Sequence, residues 1–295
     1  MNVLKILKPG LFTTVQDEGR PGYMKYGVPL CGALDLRSMR AANAAVGNAQ
    51  ECAVLEITMT GPEIEMVDDC KIAVAGASFD LMIDGRPKEA SSFGMKKGQI
   101  LKFGRLFAGC RSYLAVSGGI DVPLVLGSRS TYVQGAFGGI EGRALRAGDI
   151  IRTLKSKNDS PTAFRAADEI PSLEDIRHIR VVPAAEYQSF PEASRERFLN
   201  TVWTAAAESN RMGIRIASSD TMKRASLTGQ QIGNMITTGV MPGSVQIPPD
   251  GAPIIIMRDG QTTGGYPRIV HVRERDLNEL AQVRGGGKIL FKMDV

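Results

Sequence analysis

The stretch from Gly243 to Val272, GSVQIPPDGAPIIIMRDGQTTGGYPRIVHV, limits most tightly what this chain can fold into. Its apolar residues come in runs too short for a helix, each cut off by proline or glycine. Pro248-Pro249-Asp250-Gly251 reads as a tight turn, because proline presets φ and glycine takes conformations that side chains disfavour. Pro253-Ile254-Ile255-Ile256-Met257 is a short apolar run between turn signals, the pattern of a strand buried on both faces. The polar loop from Arg258 to Pro267 leads to a second strand, Arg268 to Val272. Scaffolds tend to place binding sites on such donor-rich loops between core strands. A plain surface hairpin has the same composition, and the residues alone leave both readings open.

The rest of the chain is punctuated in the same way. Glycine accounts for 33 of 295 residues, about 11% against a usual ~7%. Strands are expected at Leu4–Leu7, Ala53–Thr58, Lys71–Ala75, Phe79–Ile83, Ile100–Phe103, Arg111–Val116 and Asp149–Thr153. Later strands are expected at Ile179–Pro183, Ser209–Ile216 and Lys288–Lys292. Short strands at this spacing suggest barrels or sandwiches, an all-β class with a few short helices. Asp35 has the chemistry to cap a helix from Leu36 to about Val46, stopped by Gly47. Further helices are expected at Ser189–Val202 and Asp276–Val283. The length exceeds what one core usually fills. Two domains, 1–155 and 176–295, are therefore expected, with the polar segment 156–175 as linker.

Several chemistries are excluded by what the sequence lacks. Basic residues exceed acidic ones by 36 to 31 but are scattered, so the clustered footprint of a nucleic-acid binder is missing. There are two histidines, His178 and His271, too few for a histidine zinc site, and both read as structural. Cys31, Cys52, Cys70 and Cys110 show no CxxC spacing and read as small buried hydrophobes of a reducing compartment. No signal peptide or membrane span is legible, so a cytoplasmic protein is expected. No GxSxG elbow, P-loop or GxGxxG fingerprint occurs.

What remains are loops that pair arginine with glycine or small hydroxyls: TTVQDEGRPGY (13–23), GSRST (127–131), SNRMGIR (209–215) and RDGQTTGGYP (258–267). Arginine offers a planar fork to carboxylate or phosphate, and glycine lets backbone N–H groups approach the same anion. Arg20, Arg129, Arg211 and Arg258 thus form a candidate anion-binding set, each with an in-domain carboxylate as its ordinary alternative. Gln16, Tyr23, Ser130, Gln246, Gln261, Thr262, Thr263 and Tyr266 are the accompanying candidates. Asn43, on the inner face of its helix, either caps a neighbouring loop or reaches a ligand. Asp17 and Asp259 are the candidate catalytic groups.

These motifs, with GVPLCGALD (27–35), LEITMTGP (55–62), SGGID (117–121) and VQIPPDGAPIII (245–256), resemble one family in order along the chain. It is the family of the C-type subunit of 5-oxoprolinase, also called KipA, allophanate hydrolase subunit 2 or biotin-dependent carboxyltransferase. The resemblance implies two cyclophilin-like β-barrel domains and an enzyme subunit for ATP-dependent opening of 5-oxoproline to glutamate. It implies a B-type (KipI-like) subunit and an A-type subunit as partners, with ATP bound by the chain or by a partner. Biotin enters only under the alternative of carboxyl transfer, for which no Met-Lys-Met carrier site is present. A non-catalytic regulator that binds a KipI-like kinase inhibitor is a third reading. Two places depart from the family pattern. Ala184-Ala185-Glu186 stands where a Gly-Pro-Gln or Gly-Pro-His run is usual, and Thr237-Thr238 replaces a Ser-Glu pair. If they touch substrate, a different substrate is implied.

Overall fold

The computed structural model describes residues 2–154, 175–218 and 235–294. It is mostly β, as expected, and falls into two units. The first comprises Met1–Arg20 and Cys31–Ser172, the second Pro21–Leu30 and Leu173–Val295. The short segment 21–30 is therefore grouped with the C-terminal half. The segment expected as linker lies outside the described residues as far as Asp175.

The first unit contains β1 (Asn2–Lys8), β2 (Phe12–Gln16), α1 (Leu36–Ala45), β3 (Val54–Thr58), β4 (Glu63–Met66), β5 (Cys70–Ile83), β6 (Arg86–Lys88), β7 (Ser92–Met95), β8 (Ile100–Val116) and β9 (Ile150–Arg152). These strands form one sheet, ordered β2-β3-β8-β4-β1-β9, with β5 along β8 and with β6 and β7 on β5. Four expected strands merge into two. Lys71–Ala75 and Phe79–Ile83 are parts of β5, and Ile100–Phe103 and Arg111–Val116 are parts of β8. Gly76 sits at an irregularity in the β5–β8 ladder. Gly76 has φ +97°, and a Cβ there would lie 2.5 Å from the Arg111 carbonyl oxygen. A bulge bends a strand without ending it.

Alternation along β5 and β8 gives the sheet two buried faces. Ile72, Val74, Leu114 and Val116 point into the main core, whereas Ala73, Ala75, Tyr113 and Ala115 face α1. The small side chains let Met39, Ala42 and Ala45 of α1 pack closely. Asp35 caps the helix as expected, accepting from Ser38 N at 3.0 Å and Ser38 Oγ at 2.6 Å. Beneath it, Tyr113 donates its hydroxyl to Glu56 (2.9 Å) and accepts from the Asp35 N–H (2.8 Å). Burial, followed by Glu56 and Asp35, pushes the Tyr113 hydroxyl well above its usual pKa, keeping it a neutral donor. The four cysteines are free thiols; burial and the neighbouring Asp69 and Asp68 push Cys70 up to about 12.

The second unit contains β10 (Ile176–Pro183), α2 (Glu192–Asn200), β11 (Trp203–Ala205), β12 (Gly213–Ala217), β13 (Thr238–Gly239), β14 (Ser244–Gln246), β15 (Ile254–Ile256), β16 (Thr263–Gly264), β17 (Arg268–Val272), α3 (Leu277–Ala281) and β18 (Lys288–Met293). Seven of the described strands close a barrel in the order β10-β17-β14-β15-β12-β11-β18, sealed by parallel pairing of β10 with β18. Its buried residues include Val181, Trp203, Val245, Ile255, Val270 and Phe291. The turn expected at Pro248–Gly251 is present, Gly251 N donating to Pro248 O at 2.9 Å. No described helix is long and apolar enough to cross a membrane.

The Tyr113 hydroxyl bridges two buried polar groups, so Tyr113→Phe leaves both short of a partner. Chemical denaturation is expected to register a loss of about 1–3 kcal/mol; an unchanged midpoint contradicts the bridge.

Candidate functional site

In the first unit, the loop after β2 and the loop 127–131 are knotted together by Asp17. One carboxylate oxygen, Oδ1, accepts from Gly19 N (2.8 Å), from Ser128 Oγ (2.6 Å) and from Ser130 Oγ. The other, Oδ2, accepts from Arg129 N at 2.5 Å. Gln16 donates to Thr14 Oγ1 (3.0 Å) and Thr131 O (3.2 Å). Arg20 is fully buried, donates through Nη2 to Ser130 O, and lies 4.9 Å over the Phe137 ring. A Cβ at Gly138 would lie 2.0 Å from Ser130 O, which explains a glycine against this knot. Arg129 is more exposed and stands 3.9 Å from Asp121. Asn43 settles on loop capping: its amide donates to Gln50 O (3.2 Å) and Cys52 O (2.7 Å) and accepts from Asn48 (3.0 Å).

In the second unit, Arg211 grips Asp259 through Nε (2.7 Å) and Nη2 (2.8 Å), both side chains 7% exposed. Arg258 is buried beside this pair in sequence and is also partnered. Gln261 donates to Gln246 Oε1 at 3.1 Å, and a Cβ at Gly264 would crowd the Gln246 amide at 2.6 Å. Tyr266 is largely exposed, and Tyr23 opens the short 3-10 turn Met24–Tyr26.

The same unit holds a cavity of about 650 Å³, within the range typical of small-molecule sites. Thr262 and Thr263 line one wall, Gly239, Val240 and Met241 the next, and Ala184 and Ala185 a third. Ser244, Arg268 and His271 line it from β14 and β17, and Met24, Lys25 and Gly27 from the 21–30 segment. Arg268 and His271 are three apart on one strand, so a regular strand would point them to opposite faces. The ladder slips here: Val245 pairs with Val270 and Gln246 with Arg268, which leaves Ile269 over. A bulge of this kind re-aims a side chain, and it accounts for both residues facing one cavity. Arg268 then braces two walls. Its Nε and Nη2 bind Glu186 at 2.8 and 2.6 Å, and its Nη1 donates to Gly239 O at 2.7 Å.

The family model described as "Carboxyltransferase domain, subdomain A and B" matches residues 26–293. The chain belongs to this carboxyltransferase-domain family. Within it, the chain is 41% identical over 290 residues to the C-type subunit of 5-oxoprolinase from Escherichia coli, covering 98% of this chain and 90% of that one. The Haemophilus influenzae protein of the same name is 39% identical, with 95% and 87% covered. Urea amidolyase of Lachancea kluyveri is 33% identical over 97% of this chain but only 17% of its own length. Among solved structures, TTHA0988 superposes with a TM-score of 0.86 at 29% identity, covering 99% of this chain and 55% of that one. The urea amidolyase of K. lactis does so at 0.85 and 32% identity, covering 98% of this chain and 18% of that one.

Within the family frame, the expected anion-binding residues fall into groups lying in the separate units. Gln16, Asp17, Arg20, Arg129 and Ser130 meet in the first unit. Arg211 meets Asp259, Gln246 meets Gln261, and Thr262 and Thr263 reach the cavity in the second. Asp17 and Asp259, the expected catalytic groups, are both buried and held, Asp17 by Gly19, Ser128, Arg129 and Ser130 and Asp259 by the Arg211 guanidinium. Sequence reading passed over Ser244 and Arg268 and took His271 as structural; Arg268 and His271 are three apart, so simple alternation along the strand gives no sign that they share a cavity. One departure from the family pattern, Ala184-Ala185-Glu186, forms a cavity wall and its anchor.

Two titrations couple the cavity to stability. The Arg268 hydrogen bonds hold Glu186 below the usual carboxylate range of 4.5, and burial holds His271 below its usual 6.5. Both groups bind protons more readily when unfolded, so stability is lost as pH falls. The loss starts beneath about 6.5 through His271 and deepens beneath about 4.5 through Glu186. In thermal melts across this range, His271→Gln is expected to remove the first step and keep the second. Identical curves for the variant and the parent contradict the assignment. Glu186→Gln at neutral pH is expected to cost about 2 kcal/mol through the weakened Arg268 brace; an unchanged denaturation midpoint contradicts it.

Proposed function

We infer that this chain is a subunit of an ATP-dependent 5-oxoprolinase, which opens the lactam of 5-oxoproline to glutamate with A- and B-type partner subunits. The observation behind this reading is the length of the match. The C-type subunits of 5-oxoprolinase are covered nearly end to end at 39–41% identity, whereas the urea amidolyase relatives share only a small part of themselves with it. The chemistry fits an assembly. A five-membered lactam is nearly unstrained and gains little on hydrolysis, so transfer of the ATP γ-phosphoryl group to its oxygen supplies the driving force. Water then attacks the activated carbon, the ring C–N bond breaks, and phosphate and ADP leave. For this a complex must hold the substrate carboxylate and phosphate through positioned cations and N–H donors. ATP is bound within the assembly, with no residue of this chain assigned to it. Asp17, Asp259 and the arginine loops serve by fixing the shape of their surroundings.

A second reading, biotin-dependent carboxyl transfer, is favoured by the family model and the urea amidolyase relatives. Biotin would then arrive on a carrier polypeptide.

Reconstitution with A- and B-type subunits separates the two. Expected is 5-oxoproline-dependent release of glutamate and ADP that disappears when this chain is left out. Turnover undiminished without the chain overturns the reading. Absent turnover together with bicarbonate- and ATP-dependent carboxylation of a biotin-bearing partner replaces it with the second.

A further inference from the structure

The cavity of the second unit has a composition that selects among ligands. Among the described residues, the charged side chains lining it are Lys25 and Arg268. The fork of Arg268 is already divided between Glu186 and Gly239 O, so Lys25 supplies the cation. No carboxylate of the described residues lines the cavity to repel an anion. The other polar groups are the hydroxyls of Ser244, Thr262 and Thr263 and the imidazole of His271, among walls of alanine, valine, methionine and glycine.

His271 is half-buried on β17, opposite Ser244 in the ladder. Its ring packs over Gly243, whose φ of +95° and missing side chain make the room: a Cβ there would lie 3.1 Å from Cε1 and 3.2 Å from Nε2. Desolvation governs its titration, with no hydrogen bond from a described residue contributing, and it favours the neutral ring. A neutral imidazole presents one N–H donor and one lone-pair acceptor. A cyclic or secondary amide presents the complementary pair, one carbonyl acceptor and one N–H donor.

We propose that this cavity is a binding site for a small molecule with one carboxylate and one amide or lactam group. The carboxylate lies toward Lys25, and the amide meets His271 and the hydroxyls of Ser244, Thr262 and Thr263. The alanine, valine and methionine walls offer apolar contact to the rest of the ligand. The choice of 5-oxoproline as the probe rests on the function inferred above; the site itself does not.

The chain has two histidines, so the ring signals of the full-length protein labelled at histidine report on the cavity, with His178 as an internal control. Titration with 5-oxoproline is expected to move the His271 signal saturably and leave His178 in place. The amide without a carboxylate, 2-pyrrolidinone, is expected to move the same signal at about tenfold higher concentration, the worth of one charge-assisted bond. Ala185 is exposed, so Ala185→Leu fills the cavity without burdening the core and is expected to abolish the shift. A His271 signal that never moves, or one that moves equally in Ala185→Leu, overturns the proposal. An unmoved signal in a chain that supports 5-oxoproline turnover when reconstituted overturns this site and leaves the inferred function standing. A saturable shift without turnover does the reverse.

Discussion

Arg268 holds the second unit's cavity open by binding in two directions at once. Toward the 184–186 turn it engages Glu186 with two side-chain bonds, and its own N–H adds a third at 3.0 Å. Toward the 238–241 segment it holds Gly239 O. Backbone bonds fix each segment on its own side, Gly239 and Val240 against Thr262 and Thr263 and Ala184 against Ile269, and Arg268 links the two. A lysine at 268 would offer a point charge in place of a planar fork and could not serve both sides with the same geometry. The pair is partly buried, so its main effect is on shape rather than on net stability.

That geometry depends in turn on a slip in strand register. One extra residue between the partners of Val245 and Gln246 brings Arg268 to the face that His271 occupies. The apolar residues Val245, Val270 and Val272 continue to fill the buried interior. The barrel thus keeps its core pattern while its β14–β17 face gains two polar residues side by side. Sequence alone does not show a slip of this kind, because a bulge needs no special residue at Ile269.

Much of the fold was legible. The Gly/Pro punctuation marks the strand-rich class, Asp35 marks a helix start, and the run around Ile254–Ile256 marks a buried strand. The continuity of β5 past Gly76 and of β8 past Gly109 was not legible, because a positive φ serves turns and bulges alike; only the long-range partner strand distinguishes them. At the candidate site, the arginine loops were legible as organised segments, but their partners were not. Arg211 and Asp259 are 48 positions apart, and Asp17 and Ser130 are 113 apart. Asp17 and Asp259, which look like free ligands in a linear text, prove to be held within their own units, whereas Arg20 keeps Nε and Nη1 buried without a hydrogen-bond partner among the described residues. The polar residues left facing the cavity are plain ones, a lysine, a serine, two threonines and a histidine, whose types alone carry little signal.

Amide hydrogen exchange of the full chain, with and without 5-oxoproline, tests most directly that a ligand is taken up in this cavity. The account predicts added protection concentrated in the cavity segments 24–27, 184–186, 239–246 and 262–271, with little change elsewhere. Protection confined to the Asp17 knot, at residues 16–20 and 127–131, or no change in either region, would contradict it.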